Sequence, residues 1–366
     1  MSDRPHDDVI EDDGDGSTGG WWFFRATGVP PEGSGPDAPP AIPPAPYWRQ
    51  FSGAPVQDPP PEPSSPDTRR LGLADSRVHL RDEEIEVVNA ALLLRRPLLV
   101  TGPPGVGKST LAYLIARELR LGRVLSWNIV SRTTLRDGLY EYDAIGRAQA
   151  IAAWRAGADP VDPGAAQQGD ERPERPPYLG DFITLGPLGT ALLAYNRPRV
   201  LLIDELDKSD IDLPNDLLHV MEDGSYPIPE LVRTKQPSVE VLTDDPGGQA
   251  VVHGGRVECR EFPVVIITSN GEREFPAAFR RRCLPLDLQA PTREQLMSIV
   301  ASHLRHRPEG LDTLLDDFVT RLQGGGTHSV DQLLNAAYLT STGVFQAQDG
   351  GHRLLEMLLR DLAKGR

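Results

Sequence analysis

Apolar positions between residues 81 and 345 fall into two rhythms. Residues 97–100 (PLLV), 124–130, 200–203 (VLLI), 262–267 (FPVVII) and 284–288 have the length and composition of short strands, most of them buried on both faces. Between them, Ile85, Val88 and Leu92, then Leu111, Leu114, Ile115 and Leu119, recur at helical spacing, and residues 137–154 read as one helical stretch. Past residue 292 the stripes are helical throughout: Met297, Val300 and Leu304; Leu311, Leu314, Leu315 and Phe318; Leu333, Leu334 and Leu339; and residues 354–362. Strands alternating with helices predict an α/β core with a parallel sheet flanked by helices, followed by a small helical unit.

The first seventy residues break this pattern. Residues 1–70 are rich in Pro, Gly and Asp, with proline-dense runs at 39–46 and 59–66, and read as a disordered tail. Yet Trp21, Trp22, Phe23, Phe24, Tyr47, Trp48 and Phe51 lie in it, which a plain linker does not need; these clusters are expected to dock, on the chain's own core or on a partner. Residues 159–177 are also low in complexity and read as an exposed insertion.

Composition narrows the class. The 366 residues are 39% hydrophobic, enough for a sizeable core, and carry a formal charge of -15, which disfavours nonspecific nucleic-acid binding. No apolar run approaches a membrane span, and the acidic start at residues 1–8 differs from a signal peptide, so a cytoplasmic protein is expected. Cys259 and Cys283 are too few for a disulfide framework and read as reduced packing residues.

Four motifs carry chemistry. Residues 102–109, GPPGVGKS, match the phosphate-binding loop G-x-x-x-x-G-K-[ST], whose glycines let backbone N–H groups turn in around a phosphate chain. The pattern alone turns up by chance in roughly one chain in a hundred of this length, so the strand before it and the helix after it decide. Gly102, Pro103, Pro104, Gly105, Val106, Gly107, Lys108, Ser109 and Thr110 are the candidate nucleotide contacts. Residues 200–205, VLLIDE, deliver two carboxylates to the sheet edge: Asp204 is placed to help Ser109 hold magnesium, and Glu205 to polarise a water against the γ-phosphate of ATP. The chain between Lys108 and Asp204 is longer than one strand–helix–strand step requires, so an insertion is expected within 140–187. Residues 262–270, FPVVIITSN, end in Asn270, a candidate for orienting that water, and Arg280, Arg281 and Arg282 follow as candidates for reaching a γ-phosphate.

The order GPPGVGKS, VLLIDE, TSN, RRRC over roughly residues 75–345 resembles AAA+ ATPases, and its detail resembles their MoxR-like branch. That resemblance implies a core over 75–290 with a helical insertion at 140–187 and a hairpin at 225–260, and a helical lid over 291–366. The segments WWFFRATGVP, DGLYEYDAIGR, GPLGTALL, LPNDLL and TSNGEREFP further resemble MoxR-like ATPases of bacterial conflict systems. The resemblance implies ATP and Mg2+ as ligands. It assigns Lys108 to the β- and γ-phosphates, Ser109 and Asp204 to the metal, Glu205 to the water and Asn270 to a sensing role. Arg282, with Arg281 as the alternative, becomes the finger that reaches a neighbouring subunit's ATP. His328 falls where the family carries a second sensing arginine; it either contacts nucleotide or caps the helix that follows, and an imidazole is the weaker phosphate contact.

The function implied is an oligomeric ATPase, a hexameric ring by analogy, that remodels a protein partner, one with a von Willebrand factor A-type domain being the family's frequent companion. Residues 137–142, with Leu139 and Tyr140, are a candidate substrate-gripping loop. Two other classes stay open: a nucleotide-dependent switch in a conflict system, and a nucleic-acid remodelling ATPase, which the acidic balance disfavours.

Overall fold

The computed structural model describes residues 20–30, 42–60, 80–156, 176–304, 311–323, 328–341 and 358–359. Most of the low-complexity run at 159–177 and most of the expected helix at 354–362 lie outside the described residues. Strands are β1 (Leu98–Thr101), β2 (Leu125–Asn128), β3 (Tyr140–Tyr142), β4 (Ile183–Leu185), β5 (Val200–Asp204), β6 (Ser225–Pro227), β7 (Ser238–Leu242), β8 (Gln249–His253), β9 (Arg256–Glu258), β10 (Val264–Thr268) and β11 (Leu284–Asp287). Helices are α1 (Asp82–Leu94), α2 (Thr110–Glu118), α3 (Leu135–Leu139), α4 (Ala144–Ala156), α5 (Pro187–Ala191), α6 (Asp212–Asp223), α7 (Pro229–Thr234), α8 (Ala277–Arg282), α9 (Arg293–His303), α10 (Leu311–Gln323) and α11 (Val330–Ser341).

Five strands form the predicted parallel sheet in the order β11-β1-β10-β5-β2. Its strands read as apolar runs because both faces are covered. Leu98, Val100, Val200, Leu202, Val264 and Ile266 face one core layer with Ile85, Val88, Leu114 and Ile115 of α1 and α2. The alternate residues Leu99, Leu201, Ile203, Val265 and Ile267 face the other layer, as the period of two requires.

That second layer holds the main departure from expectation. The insertion and the hairpin, read as separate features, join in one six-stranded sheet of order β3-β4-β7-β8-β9-β6. The link is a single parallel pairing, Thr184 with Leu242, which no local pattern foretells. The expected helix over 137–154 is correspondingly broken: Tyr140, Glu141 and Tyr142 pair antiparallel with Leu185, Thr184 and Ile183, so β3 separates α3 from α4. Leu139 and Tyr140 are buried there, and the Tyr140 hydroxyl donates to Glu230 at 2.8 Å, so both side chains pack into the core and neither is presented for gripping a substrate.

Arg199 fastens this layer to the parallel sheet. It is 1% exposed, and both its terminal nitrogens donate to Asp245 at 2.8 Å, from the turn between β7 and β8. Cys259 and Cys283 are both buried free thiols, pushed up to about 12 by burial.

Part of the proline-rich tail lies on the core. Phe24 is fully buried with α1 and α2, and the Phe23 and Phe24 N–H groups donate to Asn89 Oδ1 at 3.1 and 3.0 Å. Farther on, Phe51 stacks on Phe262 with ring centroids 5.8 Å apart, and Arg49 Nη1 donates to the Met221 carbonyl at 2.8 Å. Tyr47 and Trp48 remain exposed. The docking expected of the aromatic clusters is therefore on the chain's own core for Phe24 and Phe51.

Candidate functional site

Parallel strands end on one edge, and that edge gathers the predicted residues. β1 runs into residues 102–109, where φ is +143° at Gly102, +74° at Gly105 and +94° at Gly107, values that side-chain-bearing residues rarely adopt. A Cβ on Gly102 would also stand 2.4 Å from the Leu288 carbonyl oxygen. The loop turns directly into α2 at Thr110, so the N-terminus of that helix faces the concavity. Val106 packs against the core layer behind it. Lys108 is 7% exposed, and its Nζ donates to the carbonyl oxygens of Gly102 and Pro103 at 2.8 and 2.9 Å. Burial lowers its pKa from the ordinary lysine value, and the charges of Asp207, Asp204 and Glu205 offset this in part.

Two strands over, β5 ends on Asp204. Its Oδ1 accepts from Ser109 Oγ at 2.6 Å and from Thr268 Oγ1 at 2.7 Å. Three oxygens from the phosphate loop, β5 and β10 thus meet at one point. Glu205 follows in the left-handed region, φ 60° and ψ 48°, a conformation that costs a residue with a Cβ roughly 1–2 kcal/mol. Thr268 Oγ1 holds it there by accepting the Glu205 N–H at 2.8 Å. The Glu205 carboxylate accepts from Asn270 Nδ2 at 3.2 Å and is paired with Lys208. Asn270 is fixed in turn, its N–H donating to buried Asp207 Oδ2 at 3.0 Å.

Lys108, Ser109, Asp204, Glu205 and Asn270 are therefore brought together; the arginines and His328 are not. Arg280, Arg281 and Arg282 are exposed at the end of α8, where Arg96 donates to the Arg281, Arg282 and Cys283 carbonyls. β11 pairs with β1 in parallel, Leu98 opposite Leu284, so these arginines stand at the opposite end of the strands from Gly102. The Arg282 guanidinium pairs with Glu222 and holds that carboxylate below its ordinary pKa.

For His328, both sequence readings are corrected. Its imidazole is buried within the helical unit, Nε2 bonded to the Leu359 carbonyl at 3.0 Å and the ring edge-on to Phe318. The cap of α11 is Ser329, whose Oγ accepts the Gln332 N–H at 3.3 Å while the Ser329 N–H donates to Gln332 Oε1 at 2.9 Å. Backbone and Cβ of Ser329 approach the phosphate loop, so closely that a Cβ on Gly105 would meet them at 2.7 and 2.6 Å. The helical unit thus touches the loop, but through Ser329.

Thr268, Asp207 and Lys208 are site residues that the sequence reading gave no role. Thr268 stood in view within TSN, and a strand-end hydroxyl two residues before Asn270 was the available signal; Asp207 and Lys208 directly follow the acidic motif.

A glycine-rich loop feeding a helix, beside an acidic strand end and a polar strand end, defines a P-loop nucleotide-binding domain. The profile of one such family, the AAA domain of the dynein-related subfamily, matches residues 97–283, half of the chain, and the protein belongs to this family. No curated protein matches the chain. Similar solved structures include NtrX from Brucella abortus in complex with ATP (18% identity over 71% of this chain and 51% of that one, TM-score 0.34) and the FIGL-1 AAA domain in complex with ADP (15% identity over 73% and 68%, TM-score 0.34). The chain spans about half the length of the NtrX chain. Among the described residues no helix is long and apolar enough to cross a membrane.

Proposed function

We propose that the protein is an ATP-hydrolysing machine of the MoxR-like branch that assembles head to tail, as a six-membered ring by family analogy, and uses turnover to remodel a protein partner. The reading is carried by one arrangement: Ser109, Asp204, Glu205 and Asn270 converge at the strand ends beside the phosphate loop, while the arginine run stands at the other end of the same sheet. Lys108 leaves its two carbonyl partners to neutralise the β- and γ-phosphates. Ser109 and Asp204 supply two hard oxygen donors, the set that suits Mg2+, with phosphate and water oxygens completing it. When bound, that ion neutralises charge on the phosphates. Glu205 accepts a hydrogen bond from the attacking water, and Asn270 orients both.

Arg282 cannot serve its own subunit's ATP. From Arg96, beside it, to Gly102 the chain runs roughly 20 Å at ~3.3 Å per residue, beyond the reach of a guanidinium on its stem. In a head-to-tail assembly a neighbour's phosphate loop would face this edge, where Arg281 and Arg282 are both exposed. The MoxR-like assignment draws on the insertion and hairpin between the motifs, and the partner with a von Willebrand factor A-type domain on family analogy alone.

Turnover per subunit measured against protein concentration, with Glu205→Gln as control, tests the proposal. A rate that climbs with concentration and vanishes in the variant is expected. A flat, barely measurable rate with tight ATP binding refutes it and favours the nucleotide-dependent switch.

A further inference from the structure

The carboxylate that this reaction needs is engaged on both oxygens. Asn270 Nδ2 donates to Glu205 Oε1 at 3.2 Å, and Lys208 Nζ donates to Oε2. Lys208 ends the 3-10 turn Leu206–Lys208, which folds its stem back toward Glu205, and the two side chains are 40% and 39% exposed. A carboxylate paired with an ammonium is a poorer acceptor toward water, because its charge is compensated and one oxygen is taken. An exposed pair of this kind is also weak enough to open and close readily.

A second carboxylate comes from a neighbouring segment. Glu272 lies on the segment after β10, and that segment is tied to the turn carrying Lys208: Asp207 Oδ2 accepts the N–H groups of Asn270 and Glu272, both at 3.0 Å, and Arg273 Nη1 donates to the Ser209 carbonyl at 2.6 Å. The hydrogen bond to Glu205 is the main cause of a raised Lys208 pKa, and Glu272 is the next charge to act on it.

We propose that Lys208 is a clamp on Glu205 that must open before turnover, and that Glu272 receives the lysine when it does. Lys208 is then a positioning residue, acting on the rate through Glu205. The inference rests on the reading of this site as an ATPase.

The test uses the full chain at one fixed concentration, with steady-state turnover, ATP affinity and melting temperature measured on each variant. Lys208→Met is expected to raise kcat about two- to fivefold, the worth of one exposed ion pair, with KM for ATP and melting temperature unchanged. Lys208→Arg, which keeps the pair, is expected to restore the wild-type rate, and Glu272→Gln to lower it by a similar factor. A Lys208→Met rate at or below wild type, with ATP binding and melting intact, overturns the clamp; a wild-type rate in Glu272→Gln overturns the exchange. Should Lys208→Met melt early, Lys208→Gln is read by the same criterion. A wild-type rate too low to measure overturns the ATPase reading itself and turnover surviving in Glu205→Gln overturns the role of Glu205, whereas loss in Glu205→Gln without a gain in Lys208→Met overturns the clamp alone.

Discussion

Thr268 donates its hydroxyl to Asp204 Oδ1 at 2.7 Å, and Thr268 Oγ1 itself accepts the Glu205 N–H at 2.8 Å. One side chain on β10 thereby fixes both acids at the end of β5, and holds Glu205 in its left-handed backbone. Thr268→Val keeps the shape and removes both bonds. Leaving the Glu205 N–H unpaired costs about 1–3 kcal/mol of stability by urea unfolding, and turnover is expected to fall on the order of 10²-fold, as a misplaced catalytic group does. Thr268→Ser retains the hydroxyl and should stay close to wild type on both measures; equal losses in the two variants would contradict this role.

The separation of Arg282 from its own phosphate loop makes a mixing experiment decisive. Arg282→Ala is expected to lower turnover about 10³-fold while ATP binding persists. Glu205→Gln is expected to be inactive for a different reason, through the neighbouring subunit's part of a shared site. Mixed in equal amounts, the two dead variants form roughly a quarter of their interfaces with an intact Glu205 facing an intact Arg282, and turnover should reappear. Mixtures as silent as their components would mean that Arg282 does not act across subunits.

The phosphate loop and the acidic strand were legible because their chemistry is written in consecutive residues, on a strand buried enough to show as an apolar run. Thr268 was not, because its value comes from the register that sets β10 beside β5, a relation between residues 64 positions apart. The second sheet hid for a related reason. Strands of three residues, such as β3, β4, β6 and β9, are too short to show a period, and one of their joints is a single residue pair. His328 fell at a correctly read helix start, but packing against Phe318 and the Leu359 carbonyl, which no spacing reveals, took the imidazole into the helical unit. In the tail, composition argued for disorder while Phe24 and Phe51 argued for docking, and only contact with Asn89 and Phe262 decides for those two.

Phe24 should therefore behave as a core residue despite its setting. Asn89 accepts two N–H groups from the segment and returns its own amide to the Phe24 carbonyl at 2.7 Å, so the segment is held as a partner strand would hold it. Phe24→Ala is expected to cost about 3–5 kcal/mol, the usual loss for a buried phenyl ring. Deleting residues 1–66 should lower the melting temperature of the whole chain for the same reason, and an unchanged melting curve in both would show that the segment does not stay docked in solution.

Arg199 and Asp245 make the sharpest case for a pH-dependent fold. Burial alone would raise the Asp245 pKa, but hydrogen bonds and charge from Arg199, then from Arg123, outweigh it and hold the carboxyl below its ordinary value of 3.8. A depressed folded pKa means that the unfolded chain takes up the proton first as pH falls. The stability is accordingly complete above the unfolded value and lost as pH drops through the lower folded one. Melting temperature should hold level from neutral pH to about 5 on this account, then fall as the pair is protonated. Asp245→Ala strands a guanidinium that is 1% exposed, which costs about 3–5 kcal/mol at neutral pH and removes this acid-linked part of the loss. Asp245→Asn, which keeps an oxygen acceptor without the charge, should lie between the two. An Asp245→Ala protein as stable as wild type at pH 7 would mean that the second sheet is held to the first by its apolar layer alone.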